Sequence, residues 1–524
     1  MRKHSYLLLL LVAIFFACKK TDKGQEPIEE APVDAAGYKY SSEYAYNLNV
    51  IYFVASDKTP NDDYHRRLSE IMLQGQEFYG KWMKHWGFGE KSFGLLKDQA
   101  RKRIKIIEIR GKFDQSRYPY DGGAGAVLTE VNEYFAAHPG EKTSEHSLIV
   151  MCVKDIQQDK APFYGLGRNC FALDYPGMDI KDLGAGGTAG TEATGWIGGM
   201  MHELGHGINL PHNGGQKSEN VLYGTSLMGA GNSTYGKAPT YLTKADCAIL
   251  NNCQVFSKIT RSNWYTQPNT YITRLHAKYE GGNIIVSGKF SDLGNVNNIN
   301  FYNDGGKNGI GGNLDYDAVP WSTPKIGVDS FYVSMPFSEF TNTETFPYEL
   351  RIMFCNENGS QVSIPYAYEI KNGQPVIDFG GKNEYSKANW QIIDFSSNET
   401  VSEDGKVANL IDNNPTTAWV TRWNTAAPTF PHHFVINMGS ALQIDGFTFT
   451  QRSGSSKIKD MQILTSSDNV SWTSRGNYTL KDVGGPQHIY LPSSLTFKYL
   501  KVVVTSATDG RQYASLAEIG VFKN

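Results

Sequence analysis

The chain has 524 residues, of which 40% are hydrophobic and 20% are charged, and its formal net charge is −3. This length exceeds what one hydrophobic core serves, so we expect a multidomain protein with two to four domains. The sequence carries no stripe of Lys and Arg that could neutralise phosphates, which excludes nucleic acid as a partner.

The amino-terminal residues predict export. Arg2 and Lys3 precede an apolar run over residues 6–17, which is too short to span a bilayer and typical of a secretory signal peptide. The run ends in Phe-Phe-Ala-Cys18, which resembles a bacterial lipoprotein signal. The resemblance implies removal of residues 1–17, acylation of Cys18 and a lipoprotein anchored at the outer membrane or cell surface. A simple signal peptide with an incidental cysteine is the alternative.

Residues 18–39 are rich in Lys, Asp, Glu and Pro and predict a flexible tether. An alternation of strands and helices follows. We expect strands at 47–54, 103–109, 147–153 and 163–175, helices at 62–86 and 124–137, and a glycine-rich loop at 184–190. A short helix at 243–252, capped by Thr243, closes this part of the chain. The succession predicts an α/β (α+β) domain with a mixed sheet over residues 40–262.

The chemistry of this domain is concentrated in residues 202–212, His-Glu-Leu-Gly-His-Gly-Ile-Asn-Leu-Pro-His. On a helix, His202 and His206 lie one turn apart on the same face, so both imidazoles can reach one metal ion. Glu203 then flanks the ion without ligating it. Its carboxylate is placed to take a proton from a water that the ion activates.

His212 can return to the same ion only if the chain turns sharply after His206. Asn209 stands at the position where a positive φ would make that turn, and Asn is the best non-glycine residue for it. Pro211 prevents the helix from resuming, so His212 is presented on an extended segment.

This pattern resembles the metzincin metallopeptidase signature, with Asn209 in place of the last glycine, and Met228 matches the later Met-turn of that family. The resemblance implies one catalytic zinc held by His202, His206 and His212, with Glu203 as general base and Met228 as an apolar floor. The position two residues after Met228 is Ala230, so we assign no tyrosine ligand. Family resemblance also implies that an extended substrate pairs with an edge strand, for which residues 163–172 are the candidate.

Five cysteines follow Cys18, and none lies in a Cys-x-x-Cys pair that would indicate sulfur ligation. Disulfides between Cys170 and either Cys247 or Cys253 are candidates in an oxidising compartment. Residues 263–380 change to short alternating strands broken by Gly and Asn, which predicts a β-sandwich of immunoglobulin-like type. This block shows no catalytic pattern, and we interpret it as a spacer.

Residues 387–524 carry three separate motifs, at 408–419, 434–439 and 515–522. Together they resemble the coagulation factor 5/8 type C (discoidin) family, whose fold is a β-sandwich jelly roll. The chain is thus expected to end in two all-β sandwich domains. In that family the first and last motifs often meet around a structural calcium ion, and here Asp412, Thr417 and Glu518 offer suitable oxygens. Turn hydrogen bonds by Asp412 and Thr417 are the alternative.

The discoidin resemblance also implies carbohydrate binding, which needs an aromatic plane and fixed donors in exposed loops. The candidates are Arg422, Trp423, Arg452 and Tyr513, whereas Trp419 is expected in the core.

The sequence therefore predicts a secreted, lipid-anchored zinc endopeptidase that acts on proteins, with glycoproteins or mucins as expected substrates because of the appended glycan-binding module. Two other functions stay open. One is a non-catalytic glycan-binding surface protein on a peptidase scaffold, against which Glu203 argues because a structural zinc site needs no general base. The other is a zinc hydrolase acting on substrates other than peptides.

Overall fold

The computed structural model describes most of the chain after the amino-terminal segment. The described residues are 37–154, 164–268, 270–291, 295–305, 315–344, 347–379, 382, 384–424, 427–452 and 454–523. The predicted signal peptide, Cys18 and nearly all of the predicted tether lie outside these residues. Within them, every helix is too short or too polar to cross a membrane.

The first domain is built on a twisted sheet with the strand order β4-β1-β5-β7-β6. Strands β4, β1, β5 and β7 run parallel, and β6 pairs antiparallel with β7 at the edge of the described sheet. Its elements are β1 (Asn49–Val54), α1 (Tyr64–His85), β2 (Lys97–Asp98), β3 (Arg103–Ile104), β4 (Ile107–Arg110), α2 (Tyr120–Ala137), β5 (Ser147–Cys152), β6 (Gly165–Leu166), β7 (Asn169–Asp174), α3 (Gly187–Gly207), α4 (Lys217–Tyr223), β8 (Thr225–Ser226), β9 (Thr240–Tyr241) and α5 (Lys244–Asn251).

The helices cover the two faces of this sheet. Helices α1 and α3 pack against one face, and α2 packs against the other. Helix α1 corresponds to the helix expected at 62–86 and buries an apolar stripe, with Leu68, Ile71 and Met72 at its centre. Strands β1 and β5 are buried along their whole length, which explains their continuous apolar sequences.

Three local expectations need correction. The strand expected at 103–109 is two strands, because β3 pairs with β2 while β4 joins the central sheet beside β1. The glycine-rich loop expected at 184–190 ends early, since α3 begins at Gly187. The expected disulfides are absent, because the five described cysteines are all free and buried in their domain interiors.

The middle domain is a β-sandwich, as predicted. Its two sheets have the strand orders β10-β11-β14 and β13-β12-β15-β16-β17. The strands are β10 (Tyr271–Glu280), β11 (Asn283–Ser291), β12 (Val296–Gly305), β13 (Val319–Pro324), β14 (Ser330–Pro336), β15 (Pro347–Asn356), β16 (Gln361–Lys371) and β17 (Gln374–Val376).

The middle domain is packed tightly onto the first one. Tyr302, Met353 and Cys355 of the sandwich belong to the same buried apolar cluster as the core of the first domain. The side-chain amide of Asn300 donates to the carbonyl of Ala245 on α5 at 2.9 Å. Continuous apolar packing of this kind fixes the orientation of the two domains.

The third domain is a second β-sandwich, whose largest sheet has the order β18-β20-β23-β21-β22, with β25 also paired to β20. Its strands are β18 (Gln391–Phe395), β19 (Trp419–Val420), β20 (His432–Gln451), β21 (Asp460–Ser466), β22 (Thr473–Thr479), β23 (Gly485–Val504), β24 (Ser515–Leu516) and β25 (Glu518–Phe522). Trp419 is fully buried in its core, as expected.

Close backbone contact joins the third domain to the middle one. Gly485 has a φ of +82°, and a Cβ there would lie 1.7 Å from the carbonyl oxygen of Pro365, so only glycine fits. Lys481 forms an ion pair with Glu369 across the same junction. The Tyr490 hydroxyl also donates to Asp378 at 3.1 Å.

Candidate metal centre and glycan pocket

The three predicted ligands converge on one point. The Nε2 atoms of His206 and His212 are 2.9 Å apart, and those of His202 and His212 are 3.3 Å apart. Tetrahedral zinc, with nitrogens about 2.0–2.1 Å away, places its ligand atoms about 3.3 Å from one another. The donor set therefore fits zinc. Among the described residues it is also the one group of three or more His, Cys, Asp or Glu side chains close enough to share an ion.

Backbone carbonyls fix how two of these rings present their nitrogens. His202 donates through Nδ1 to Leu227 at 2.7 Å, and His206 donates through Nδ1 to Leu210 at 2.9 Å. Because a carbonyl only accepts, the proton of each neutral ring must sit on Nδ1, which leaves the Nε2 lone pair for a metal. Burial lowers the pKa of both histidines to about 4, so the rings are neutral near pH 7.

The sharp turn after α3 is formed as the sequence predicts. Asn209 has a φ of +76°, in the left-handed region. The backbone N–H groups of Asn209 and Leu210 donate back to His206 and Gly205 at 2.9 Å each. The chain thereby reverses, and Pro211 leads His212 onto the metal side of the helix.

Glu203 faces the same space as the histidines. One side of its carboxylate accepts a hydrogen bond from the backbone N–H of Gly165 on the edge strand. Its Oε2 atom is buried and has no hydrogen-bond partner among the described residues. Burial raises the pKa of Glu203 to about 7. A carboxylate with one fixed and one unpartnered oxygen is arranged to accept a proton from a bound water.

Two glycines let neighbouring segments approach the metal helix. A Cβ on Gly165 would lie 2.4 Å from Cβ of His206, so the edge strand could not otherwise run beside the ligand. A Cβ on Gly205 would lie 2.4 Å from the sulfur of Met228. Met228 is fully buried at this point beneath the helix, where the sequence predicts an apolar floor.

The middle domain also reaches the metal centre, so its interpretation as a spacer is wrong. The ring of Tyr316 stacks on that of His212, with centroids 3.8 Å apart and planes tilted by 25°. The Gly214 N–H, two residues after His212, donates to the Ala318 carbonyl at 2.9 Å, which holds the two segments together. Tyr316 was missed because its contact with the site depends on domain packing rather than local spacing.

The metal centre opens into a cleft of about 870 Å³, which we call the catalytic cleft. Aromatic side chains form much of its wall, and Tyr120 and Tyr164 meet edge to face with centroids 5.3 Å apart. The cation among its lining residues is Arg168, whose guanidinium lies 4.4 Å above the ring of Tyr265. The tyrosines lining the cleft are Tyr120, Tyr164, Tyr265 and Tyr316.

The edge strand predicted over residues 163–172, and the single strand expected at 163–175, are in part wrong: only β6 forms the edge beside the cleft, whereas residues 169–172 belong to β7, which is paired on both sides. Leu166 on β6 is 46% exposed, and Gly165 and Leu166 pair with β7 on one side only. The other side of β6 faces the catalytic cleft beside His206. An extended chain could add there as a further strand.

The structure brings three of the four predicted glycan residues together in the third domain. Trp423, Arg452 and Tyr513 line a pocket of about 330 Å³, which we call the discoidin pocket. Arg422 is not among its lining residues. Glu403, which the sequence did not single out, accepts hydrogen bonds from Trp423 Nε1 and Arg452 Nη1, each at 2.9 Å. It therefore holds the indole and the guanidinium in fixed positions.

The residues considered for calcium also lie together. The hydroxyl of Thr417 donates to Asp412 at 2.7 Å, and the N–H of Asn414 donates to both Asp412 and Glu518 at 2.8 Å. The buried ammonium of Lys387 contacts the second oxygen of Glu518. Burial raises the pKa of Glu518 to about 8. Turn hydrogen bonds and a side-chain cation thus already satisfy much of this cluster.

Comparison with known proteins supports the division into domains. The sequence model of the F5/8 type C domain matches residues 392–519, so the third domain is of this family. A curated sialidase of Micromonospora viridifaciens is 34% identical over 141 residues, a match that covers 26% of this chain and 21% of the sialidase.

Two solved structures of OgpA from Akkermansia muciniphila resemble the larger part of the chain. One is the wild-type protein, and the other is a catalytically inactive OgpA in complex with an O-glycopeptide substrate. Each has a TM-score of 0.60 and 39% sequence identity, and the match covers 64% of this chain and 96% of OgpA. At this identity and coverage, the chain belongs to the same protein family as OgpA.

Proposed function

We propose that the chain is a zinc-dependent endopeptidase of metzincin type that hydrolyses peptide bonds in glycosylated proteins. The observation that carries this proposal is the convergence of three Nε2 atoms in an open cleft beside an edge strand, together with a Glu203 oxygen that has no hydrogen-bond partner among the described residues. A structural zinc site would need neither the unpartnered carboxylate nor the open cleft.

Each residue of the centre has a role in the proposed reaction. Zinc, when bound, polarises the scissile carbonyl and lowers the pKa of a water molecule. Glu203 takes the proton of the attacking water and passes it to the leaving amine. The N–H of Gly165 keeps the carboxylate in place. Backbone groups of β6 other than the Gly165 N–H would align an extended substrate beside the three histidines and Glu203.

Glycosylated substrates are supported by three features. OgpA, of the same family, was solved with an O-glycopeptide substrate. The catalytic cleft is lined by tyrosine rings, which offer flat apolar faces and hydroxyl groups to sugars. The discoidin pocket combines an indole, a phenol and an arginine, which suits a carbohydrate ligand.

The test is cleavage of a matched pair of peptides, one carrying an O-glycan and one bare, followed by mass spectrometry. We expect the wild type to cut the glycosylated peptide, and both a zinc chelator and Glu203→Gln to abolish the cut. The variant should still bind one zinc per chain, because Glu203 is not a ligand. A wild type that binds zinc but cuts neither peptide would favour the non-catalytic glycan-binding protein.

We further propose that the mature protein is exported and anchored through acylated Cys18. This rests on the residues before Cys18 alone, because the segment lies outside the described part of the chain. Metabolic labelling with a fatty acid tests it, since Cys18→Ala should remove the label.

For the third domain we propose that calcium and the Lys387 ammonium are alternative partners of Glu518. Asp412, Thr417 and Glu518 would hold the ion with backbone carbonyls, and Lys387 would have to move away. Such an ion would fasten loops and take no part in catalysis.

A further inference from the structure

The catalytic cleft and the discoidin pocket are joined by a third cavity. This cavity, of about 600 Å³, lies between the middle and third domains, and we call it the junction groove. It shares Gln267 and Gln361 with the catalytic cleft. It shares Glu403 and Arg452 with the discoidin pocket. The three cavities therefore adjoin one another in series between the metal centre and the pocket, and we call this series the path.

The junction groove is lined by hydrogen-bonding side chains as well as by apolar ones such as Pro268 and Pro415. The hydrogen-bonding groups include the amides of Gln267 and Gln361, the hydroxyl of the exposed Ser363 and the carboxylates of Glu403 and Asp404. The groups at both ends are held in place. Gln361 donates to the Asn209 carbonyl at 3.1 Å, within the turn that carries the ligand histidines, and Glu403 is fixed by Trp423 and Arg452.

The path is preformed because the domains on either side are tightly joined. The backbone contact of Gly485 with Pro365 and the Lys481–Glu369 ion pair hold the middle and third domains together beside the groove. The shared apolar core holds the first and middle domains. A ligand that spans the path would lose little binding free energy in orienting the domains. Binding of one end would therefore raise the affinity of the other end.

We propose that the junction groove is a substrate subsite, in which one glycosylated polypeptide runs from the metal centre to a second glycan held in the discoidin pocket. This rests on the proposed function for the nature of the substrate. The enzyme would thereby favour densely glycosylated segments over isolated sites, because only a second glycan at the right distance reaches the pocket.

The test uses two sets of synthetic peptides. One set carries a single O-glycan at the cleavage site, and the other carries a second glycan about 4 to 12 residues away on either side. An extended chain advances by about 3.3 Å per residue, so this series samples a range of distances between the two glycans. Affinity is measured on full-length Glu203→Gln, so that binding is read without turnover. We expect the best two-glycan peptide to bind about tenfold more tightly than the one-glycan peptide.

Two substitutions and one control locate the effect. Ser363→Trp places a bulky ring in the groove at an exposed strand position, and we expect it to remove the advantage of the second glycan. Ser334→Trp makes the same change at an exposed position of β14 in the other sheet and should keep the advantage. Trp423→Ala should also remove it. Equal thermal unfolding midpoints of the two Ser→Trp variants show that the fold is intact.

The outcomes separate this proposal from the proposed function. Equal binding of one-glycan and two-glycan peptides, or an advantage that survives Ser363→Trp, would overturn the subsite while leaving peptide cleavage untouched. Lack of cleavage by the wild type, with a binding advantage that Ser363→Trp removes, would instead overturn the peptidase and retain the subsite.

Discussion

Two regions of the molecule meet at the metal centre and are held there in different ways. Residues 202–212 form their half of the site through one helix and one turn; His206 and the turn bond to groups nearby in the chain, and His202 bonds to Leu227 of the same domain. Tyr316 arrives from a separate domain, and its position on His212 depends on the packing of that domain against α5. The ligands are therefore fixed locally, whereas the wall of the cleft is fixed by domain association. Loss of a histidine ligand should therefore remove the metal. Loss of Tyr316 should lower catalytic activity while the metal stays bound.

The largest effect is expected from His206→Ala, which removes a ligand and leaves two. Zinc content should fall well below one per chain, and kcat/KM on a glycosylated peptide should drop by at least about 10³-fold, which corresponds to about 4 kcal/mol in the barrier. Elemental analysis and peptide cleavage measure both. His138→Ala, on the surface at the end of α2, is the matched control and should change neither value. Retained zinc and activity in His206→Ala would mean that the ion is bound elsewhere.

A smaller effect is expected from Tyr316→Ala. Loss of the ring stacked on His212 should lower kcat/KM about tenfold, because such aromatic contacts contribute up to about 1.5 kcal/mol. Zinc should remain bound at one per chain in a dialysis assay. Tyr316→Phe keeps the ring and should stay within about threefold of the wild type. If Phe is as damaging as Ala, the hydroxyl and not the ring makes the contribution.

The turn at Asn209 offers a test of the local half of the site. Asn209→Val places a β-branched residue at a φ of +76°, which costs about 1–2 kcal/mol, whereas Asn209→Gly accepts this conformation. We expect the unfolding midpoint of the zinc-loaded first domain to fall by about 2–8 °C in the Val variant. Calorimetry measures it. A Gly variant as unstable as the Val variant would show that the asparagine side chain itself is required.

The smallest effect concerns the third domain, far from the metal centre. Lys387→Gln releases the carboxylate of Glu518, so calcium affinity should rise by about threefold, a change of roughly 0.6 kcal/mol. Calorimetric titration measures it, with the exposed Lys523→Gln as control. Unchanged calcium binding in Lys387→Gln would mean that ion and ammonium do not compete.

These two regions also differ in what their sequence reveals. His202, His206, Asn209 and His212 were predictable because helical spacing and a positive-φ turn are local properties, and the structure places all four as expected. The three domains were predictable from changes in residue pattern. Of the four residues predicted for glycan binding, Trp423, Arg452 and Tyr513 converge in one pocket and Arg422 does not line it, while glycan binding itself stays a prediction.

Contacts between residues far apart in the sequence could not be predicted. Tyr316 follows a Gly-rich and Asn-rich stretch in a domain without catalytic pattern, and only the docking of the sandwich brings it to His212. Glu403 lies about twenty residues from Trp423 and about fifty from Arg452, so no local spacing connects them. The split of the strand expected at 103–109 likewise depends on which neighbour each half pairs with.

Restoring zinc to the metal-free protein, while cleavage of a glycosylated peptide and its bare counterpart is followed, tests the zinc glycopeptidase most directly. We expect activity on the glycosylated peptide to rise in proportion to zinc and to stop rising at one ion per chain, with little cleavage of the bare peptide. Equal cleavage of both peptides, or activity that does not depend on zinc, would overturn the proposed function.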